Sequence, residues 1–210
     1  MNEPAIVIPF KGRGYKSRLS PVLDATRRRR LAYLLLEGVL EAVGRAGLSR
    51  RCFVISSDPE VRGLASVFGA SFVAESRASG VNSAVRLAVR RAGKFERFVV
   101  LPSDLPFLSS SDVTVAVELG EQKELVISPS WSFNGTNLLL FSKRRTPALS
   151  YDDNSFWNHL ASAARRGLST AVLTRPGILF DLDSPADVEE LLRLRPRTSA
   201  ARFLRESLNR

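Results

Sequence analysis

Short runs of β-forming residues alternate along this chain with segments that have the periodicity of amphipathic helices. Between Thr26 and Val43, for example, Leu31, Leu35 and Val39 recur on one face at the 3.6-residue spacing of a helix. Such alternation is typical of βαβ units around a mostly parallel sheet. We therefore expect an α/β protein of three α/β/α layers with a mostly parallel, mixed sheet. Seven strands are predicted, at residues 5–10, 52–56, 71–74, 98–101, 125–128, 137–141 and 170–173.

The remaining helices are predicted between these strands. One begins with Asp58 as the N-cap and Pro59 at the first helical position, and it ends near Gly69. The length of 210 residues fits a single α/β domain, which we place at residues 1–194, followed by a basic and helical tail at 195–210. Further helices are expected at 81–92, from 110 onward, at 155–166 and at 185–194.

Several classes of protein are disfavoured by composition. No apolar run approaches the ~20 residues that a membrane-spanning helix needs, so no membrane partner is expected. The start of the chain lacks a basic segment before an apolar stretch, so we expect no secretory signal. Cys52 is the single cysteine, which excludes an internal disulfide and a cysteine-based zinc cluster. These features favour a cytoplasmic location.

The chain carries a formal net charge of +10, which invites a nucleic-acid interpretation. Much of the excess is arginine spread over several segments, without the interleaved aromatic residues of RNA-recognition modules. We therefore expect no nucleic-acid partner and a polyanionic small substrate instead. A basic nucleic-acid-binding protein is the alternative from a different functional class.

A basic, glycine-containing segment directly follows the first predicted strand. Its four cations are Lys11, Arg13, Lys16 and Arg18. Together they match the roughly four negative charges of a nucleoside triphosphate, at about 4 kcal/mol per close contact before desolvation. The segment has neither the phosphate-binding P-loop pattern nor the three spaced glycines of a dinucleotide site. The alternative is a solvated basic loop.

Asp104 follows the fourth predicted strand in a turn bracketed by Pro102 and Pro106. Ligands of open α/β sheets bind beyond the carboxyl ends of the strands, where this turn lies. An aspartate at such a position often caps the next helix, but Ser109 or Ser110 is available for that role. We therefore expect Asp104 to act in a functional site.

A second acidic segment contains Asp181 and Asp183, whose side chains point to the same side if the segment is extended. Two neighbouring carboxylates favour a hard divalent cation between them. The alternative is local, because Asp183 or Ser184 can cap the helix that begins at Pro185. That alternative leaves Asp181 without a role. Three aspartates and a basic loop together predict magnesium-assisted attack at phosphorus, with the cations holding the leaving pyrophosphate.

The order of these motifs resembles the 2-phospho-L-lactate guanylyltransferases, in particular their archaeal branch. The most specific elements are the Lys16-Ser17-Arg18-Leu19 loop and the Pro102-Ser103-Asp104-Leu105-Pro106 turn. The other matching elements are Gly135-Thr136-Asn137, Ser155-Phe156 with His159, and Asp181-Leu182-Asp183-Ser184-Pro185. The resemblance implies a nucleotidyltransferase of the glycosyltransferase-A-like fold that serves coenzyme F-420 synthesis.

The implied reaction is attack of a phosphorylated three-carbon acid on the α-phosphorus of GTP. By this resemblance Asp104, Asp181 and Asp183 bind Mg²⁺, and Thr136 and Ser155 hold the acid. Phospholactate is the expected acceptor, with phosphoenolpyruvate, 3-phosphoglycerate or a sugar phosphate as alternatives. The catalytic set is Asp104, Lys16 and Arg18, and the set that contacts GTP is Lys11, Lys16, Arg18 and Asn82.

The acceptor pocket departs from the family pattern. Asp152 stands where the family has a glycine, and its charge is expected to repel an anionic acid. His159 is predicted to meet a phosphate or carboxylate because the usual pKa of histidine lies near neutrality, with simple packing in the core as the alternative. The oligomeric state is left open, with a homodimer among the alternatives.

Overall fold

The computed structural model describes residues 3–11, 14–76 and 80–208. Within these ranges seven strands form one sheet, in the order β3-β2-β1-β4-β6-β5-β7. Strand β6 is antiparallel to β4 and β5, and the other neighbouring strands are parallel. The expected mostly parallel, mixed α/β sheet is confirmed. The strands are β1 Ala5–Phe10, β2 Cys52–Ser56, β3 Ser71–Ala74, β4 Arg97–Val100, β5 Leu125–Pro129, β6 Thr136–Ser142 and β7 Thr170–Val172.

Eight α-helices connect or cover these strands within the described ranges. The longer ones match the periodic segments of the sequence to within about two residues, whereas the short α6 was not predicted. The helices are α1 Ala25–Arg45, α2 Val61–Val67, α3 Val81–Arg91, α4 Ser110–Gln122, α5 Ser155–Arg165, α6 Pro176–Leu179, α7 Pro185–Leu194 and α8 Ser199–Leu208.

The alternation of side chains along β1 explains the layers. Ile6 and Ile8 are fully buried in a cluster with residues of α1, α2 and α4 on one face of the sheet. Ala5 and Val7 are fully buried in a cluster with residues of α3 and α5 on the other face. Each large apolar side chain buried in this way contributes about 1.5–3 kcal/mol. Helices therefore cover both faces of the sheet.

A third apolar cluster joins the basic segment after β1 to the end of the chain. Leu19 from that segment and Leu182 from the second acidic segment are fully buried in it. Helix α8 contributes Ala201 and Leu204, and it packs against α1 and α7. The residues on either side of the candidate site are thus anchored in one core.

The prediction that Asp58 caps α2 was wrong. The helix begins at Val61, with Glu60 at the N-cap position. Asp58 accepts a hydrogen bond from the Glu60 backbone N–H (3.0 Å), but its other oxygen accepts from the hydroxyls of Tyr15 and Tyr33. These long-range bonds hold the carboxylate outside the helix, so it braces the basic segment against α1.

The sheet places two loops of opposite charge at one edge. Parallel strands β1 and β4 are neighbours, with Ala5 opposite Phe98, and the chain leaves both at the same edge. Strand β1 has β2 on its other side, so this is a point where the strand order reverses. Open α/β sheets bind ligands at such points.

Candidate functional site

The side chain of Lys16 joins the two acidic segments. Its Nζ donates to Oδ2 of Asp104 at 2.6 Å and to Oδ1 of Asp183 at 2.9 Å. The side chain is only 8% exposed. Burial opposes its charge, but the two carboxylates outweigh that effect and raise the pKa of Lys16 above its usual value. Lys16 is therefore a cation in the site.

The backbone at Lys16 has left-handed dihedral angles, φ 44° and ψ 47°. This conformation costs a residue with a Cβ roughly 1–2 kcal/mol. It turns the chain into the short 3₁₀ helix Ser17–Leu19, where Leu19 is buried in the third apolar cluster. The buried leucine and the two ion pairs offset the strain and direct the ammonium group toward the acidic residues.

Asp104 lies in the turn after β4, as the sequence predicts. Ser109 caps α4 through a reciprocal pair of hydrogen bonds with Asp112, so Asp104 has no capping role. Its backbone oxygen accepts a hydrogen bond from the N–H of Leu182 at 3.1 Å, which ties the two acidic segments together. Its Oδ1 is buried and has no hydrogen-bond partner among the described residues. A buried, unpaired carboxylate oxygen is costly and is suited to a cationic ligand.

Asp183 also faces the basic segment. Ser184 caps α7 in a reciprocal pair with Asp187, which settles the choice that the sequence left open between Asp183 and Ser184. Burial disfavours ionisation of Asp183, but Lys16 and then Arg18 outweigh it and hold its pKa below the usual range. The Nη1 of Arg18 lies 3.5 Å from its Oδ2.

Asp181 is near enough to these two carboxylates for their charges to interact, and within the described part of the chain it forms no ion pair. Burial raises its pKa to about 6, and the charges of Asp104 and Asp183 act in the same direction. Asn137 opposes this shift by donating from Nδ2 to Oδ1 of Asp181 at 3.1 Å. A group that is this costly to ionise is typical of a functional carboxylate.

Asn137 was not singled out as a site residue from the sequence. It is buried near the start of β6, and its Nδ2 also lies within hydrogen-bond distance of the carbonyls of Ile178 and Leu179 in α6. The sequence feature that could have identified Asn137 is a side-chain amide directly before the apolar run of β6. Asn137 fixes α6 and the acidic segment that follows it.

The charges of the three aspartates interact, but the residues do not form a preformed ligand set. Among residues 3–11, 14–76 and 80–208, no group of three histidine, cysteine or acidic side chains has the arrangement of a metal site. The ammonium of Lys16 lies between Asp104 and Asp183 instead. Oxygen donors of this kind, with one oxygen unpaired, nevertheless fit a hard cation such as Mg²⁺.

Asp104 and Asp183 line a cleft of about 370 Å³ with the cations of the basic segment, whereas Asp181 does not form part of its wall. Lys11 lines it together with Lys16 and Arg18, and Tyr15 and Phe10 form part of its wall. Gly12 and Arg13, which the sequence assigned to the same phosphate-binding segment, lie outside the described residues. The described residues of the cleft therefore combine three cations with two carboxylates.

Thr136, Ser155 and His159 form a second polar cluster. Ser155 Oγ donates to Thr136 Oγ1 at 3.0 Å, and His159 Nδ1 lies 3.1 Å from the same oxygen. Thr136 precedes Asn137 in β6, which connects this cluster to Asp181. The structure thus groups the three residues that were predicted to bind the acid.

Direct substrate contact by His159 does not fit this structure. The side chain has no exposed surface, and burial lowers its pKa to about 4. Its Nε2 accepts from the backbone N–H of Ser150 at 3.1 Å, and Nδ1 is bonded to Thr136. Both nitrogens are engaged, so His159 is a neutral residue behind Thr136 and not a cationic ligand.

Asn82 lies beside the second cluster and not on the wall of the cleft described above. Its Oδ1 accepts from the N–H of Tyr151 at 3.0 Å, and its Nδ2 donates to Oδ2 of Asp152 at 3.2 Å. The carboxylate of Asp152, expected to repel an anionic acid, is therefore bonded to an amide. The proposed contact of Asn82 with GTP stays a prediction.

No helix in the described part of the chain is long and apolar enough to cross a membrane.

The chain is similar to known guanylyltransferases over nearly its whole length. The family model described as guanylyl transferase CofC like matches residues 4–208. A phosphoenolpyruvate guanylyltransferase of Rubrobacter xylanophilus is 40% identical over 189 residues, 88% of this chain and 91% of its own. A 3-phospho-D-glycerate guanylyltransferase of Phenylobacterium zucineum is 32% identical, covering 90% and 89%. A 2-phospho-L-lactate guanylyltransferase of Methanothermobacter thermautotrophicus is 30% identical, covering 91% and 84%.

Solved structures agree on the fold. A protein from Desulfovibrio desulfuricans G20 superimposes with a TM-score of 0.79 at 19% identity, covering 98% of this chain and 95% of its own. A nucleotidyl transferase from Methanothermobacter thermautotrophicus gives 0.67 at 19% identity, covering 98% and 100%. The match to the family model extends over nearly the whole chain, including every residue of the two clusters. The chain therefore belongs to the CofC-like guanylyl transferase family and is an enzyme of the nucleotidyltransferase class.

Proposed function

We propose that this enzyme transfers GMP from GTP to a phosphorylated three-carbon acid and releases pyrophosphate. The observation that carries the proposal is the Lys16 ammonium held between Asp104 and Asp183 in a cleft lined by further cations. A triphosphate needs positive charge along its length, and the reacting phosphorus needs it most. This cleft supplies charge at a fixed position, which is the property that lowers the barrier to phosphoryl and nucleotidyl transfer.

We assign different roles to the exposed and the buried cations of the cleft, namely binding of the triphosphate and stabilisation of the leaving group. Arg18 is largely exposed at the rim and Lys11 is exposed there too, so both are accessible to the β- and γ-phosphates. Lys16 is deeper and close to the carboxylates, so we assign it to the α-phosphate and the bridging oxygen of the leaving group. These cations stabilise the negative charge that collects on pyrophosphate as it departs.

Thr136 and Ser155 are the residues we assign to the acceptor. They are buried hydroxyls next to Asn137, which contacts Asp181. We assign an anionic group of the acid to these two hydroxyls. An oxygen of its phosphate then attacks the α-phosphorus of GTP, the bond from that phosphorus to the bridging oxygen breaks, and pyrophosphate leaves with the bonding electrons. No nucleophilic side chain is required.

Phosphoenolpyruvate is the acceptor we propose first. The relative at 40% identity carries that activity in its name, whereas the relatives named for phosphoglycerate and phospholactate are 32% and 30% identical. The motif resemblance favours phospholactate, which differs from phosphoenolpyruvate only by saturation of the carbon–carbon double bond. Each of the three acids offers a phosphate and a carboxylate to the same hydroxyls.

Asp104, Asp181 and Asp183 are the residues that would hold Mg²⁺. The unpaired Oδ1 of Asp104 and the raised pKa of Asp181 support this assignment, since both report carboxylates that lack a full complement of positive charge. When bound, the ion supplies further positive charge to the phosphate oxygens. Asn137 restrains Asp181 by donating a hydrogen bond to its Oδ1.

We propose, from the family resemblance, that this reaction serves coenzyme F-420 synthesis and that it takes place in the cytoplasm. The single cysteine of the sequence, Cys52, supports this location, because structural disulfides are rare in the cytoplasm. A homodimer is the oligomeric state we propose to test, by sedimentation of the purified enzyme.

The deciding experiment measures pyrophosphate release from each of the four ribonucleoside triphosphates with phosphoenolpyruvate, 2-phospho-L-lactate or 3-phospho-D-glycerate and Mg²⁺. We expect GTP with phosphoenolpyruvate to give the highest kcat/KM. Mass spectrometry of the product must show one guanylyl group on the acid. Absence of pyrophosphate release with all three acids would overturn the proposal, and preference for a second acid would overturn only the choice of acceptor.

A further inference from the structure

His159 has a defined set of hydrogen bonds that the proposed reaction does not use directly. The imidazole lies between the segment before α5 and the start of β6, with no exposed surface. Nε2 faces the backbone nitrogen of Ser150 at 3.1 Å, and Nδ1 faces Oγ1 of Thr136 at 3.1 Å. The ring of Tyr151 packs edge-on against it, with the centroids 4.9 Å apart.

These contacts determine where the imidazole carries its proton. A backbone N–H only donates, so Nε2 must accept and carries no hydrogen. Burial lowers the pKa of His159 to about 4, so the ring is neutral at physiological pH and its single N–H is on Nδ1. Nδ1 therefore donates to the oxygen of Thr136. The backbone of Ser150 selects the tautomer.

The tautomer in turn determines what the two hydroxyls offer to a ligand. Ser155 Oγ donates to Thr136 Oγ1, so that bond uses one of the two hydroxyl protons. Because His159 also donates to Thr136, both lone pairs of that oxygen are occupied and its own proton is left to point elsewhere. With the opposite tautomer, Thr136 would donate to Nδ1, and the pair would have no proton left for a ligand.

We propose that His159 is a positioning residue, which commits the Thr136 hydroxyl to donate a hydrogen bond to an anionic oxygen of the acceptor acid. This inference rests on the proposed function, in which Thr136 and Ser155 hold that acid. A carboxylate or phosphate accepts hydrogen bonds and never donates them when ionised, so a hydroxyl with a free proton and filled lone pairs is the complementary partner. His159 acts through Thr136 without touching the substrate.

The first test is spectroscopic and needs no activity. The chain contains a single histidine, so ¹⁵N-labelled histidine gives one imidazole spin system. We expect a protonated Nδ1 and an unprotonated Nε2 in the free enzyme, unchanged from pH 5.5 to 8. An Nε2–H tautomer, or titration within that range, would overturn the inference while leaving the proposed guanylyl transfer untouched.

The second test compares two substitutions that each preserve one half of the contact. Asparagine places its amide nitrogen near the position of Nδ1, and glutamine places its amide group near that of Nε2. We expect His159→Ala and His159→Gln to raise KM for the acid at least tenfold with little change in KM for GTP. His159→Asn should restore KM to within about threefold of wild type, since one hydrogen bond accounts for that tenfold change.

The contrast between these variants separates positioning from packing. Equal losses in His159→Asn and His159→Gln, or a rise in KM for GTP as large as that for the acid, would overturn the inference. If the variants do not fold, as judged by circular dichroism, the tautomer measurement on the wild-type enzyme decides. Lack of any guanylyl transfer by the wild-type enzyme would count against the proposed function and not against the tautomer.

Discussion

The ammonium nitrogen of Lys16 lies 2.6 Å from Oδ2 of Asp104, although the two residues are 88 positions apart in the chain. This ion pair brings the segment after β1 to the turn after β4. It also places a cation where a divalent ion would have to approach the aspartates. The Lys16 ammonium can therefore pair with the carboxylates in the free enzyme or with the phosphates of a bound nucleotide.

Replacement of Lys16 by methionine should separate these two roles. Removing the ammonium eliminates a competing cation, so we expect Mn²⁺ to bind the free enzyme several-fold more tightly, as measured by electron paramagnetic resonance. KM for GTP should rise tenfold or more, because a buried charge-assisted contact is lost. Lys123→Met, at an exposed position, is the matched control. Weaker Mn²⁺ binding in Lys16→Met would contradict competition at the aspartates.

Asp104→Asn should preserve the fold and reduce kcat by a hundredfold or more. The substitution removes the charge that Lys16 and the proposed metal share. A hundredfold loss of kcat is the scale seen when one preorganised electrostatic group is deleted. Glu189→Gln neutralises an exposed carboxylate in α7 and should have no effect on kcat. Comparable turnover in Asp104→Asn and Glu189→Gln would exclude Asp104 from the site.

Gly177 is required in α6 because the structure leaves no space for a side chain at this position. A Cβ there would collide with Oδ2 of Asp112 and lie 2.7 Å from the carbonyl oxygen of Phe107. We expect Gly177→Ala to lower the free energy of unfolding by about 1–3 kcal/mol, as overpacking does. Activity should fall as well, because α6 supplies the carbonyls that orient Asn137.

Gly63 in α2 provides the control for this prediction. A Cβ there meets nothing within 4 Å, so Gly63→Ala should be neutral or stabilising by up to about 1 kcal/mol. Urea unfolding of both variants measures the difference. If Gly177→Ala were as stable as Gly63→Ala, the close approach at α6 would be wrong.

Burial of His159 predicts a specific loss of stability in acid. Its pKa is about 4 in the folded protein and about 6.5 when unfolded, so the unfolded chain binds the proton first as the pH falls. The free energy of unfolding should therefore fall between pH 6.5 and 4, with about 2.5 kcal/mol lost from this residue between pH 7.5 and 4.5.

His159→Asn cannot titrate and should lose that much less stability over the same interval. Urea unfolding of both proteins at pH 7.5 and 4.5 gives the comparison. The same acid sensitivity in wild type and His159→Asn would show that the histidine is not held neutral by burial.

The sheet was predictable because its strands are short apolar runs with clear ends. Strands β1, β2 and β3 begin and end at the predicted residues. Burial on both faces of the sheet makes a run such as β1 apolar throughout, so its ends are marked by the first charged or turn-forming residues. The helix caps Ser109 and Ser184 were also candidates from the sequence, because capping is a local property of three or four residues.

The contacts within the site were not predictable to the same degree. The Lys16 bridge joins residues 88 and 167 positions apart, and no local pattern reports such a distance. The sequence predicts that a metal ion joins the three aspartates. In the structure the ammonium group of Lys16 joins two of them, Asp104 and Asp183. The burial of His159 likewise depends on how α5 packs against β6, which its own sequence neighbourhood does not determine.

The most direct test of the central claim follows oxygen atoms from substrate to product. Phosphoenolpyruvate labelled with ¹⁸O in its phosphate is incubated with GTP, Mg²⁺ and the enzyme, and both products are analysed by mass spectrometry. Attack by an acceptor oxygen on the α-phosphorus of GTP predicts that all the label stays in the guanylylated acid and none enters pyrophosphate. Label in pyrophosphate, or formation of GMP without a guanylylated acid, would contradict the account.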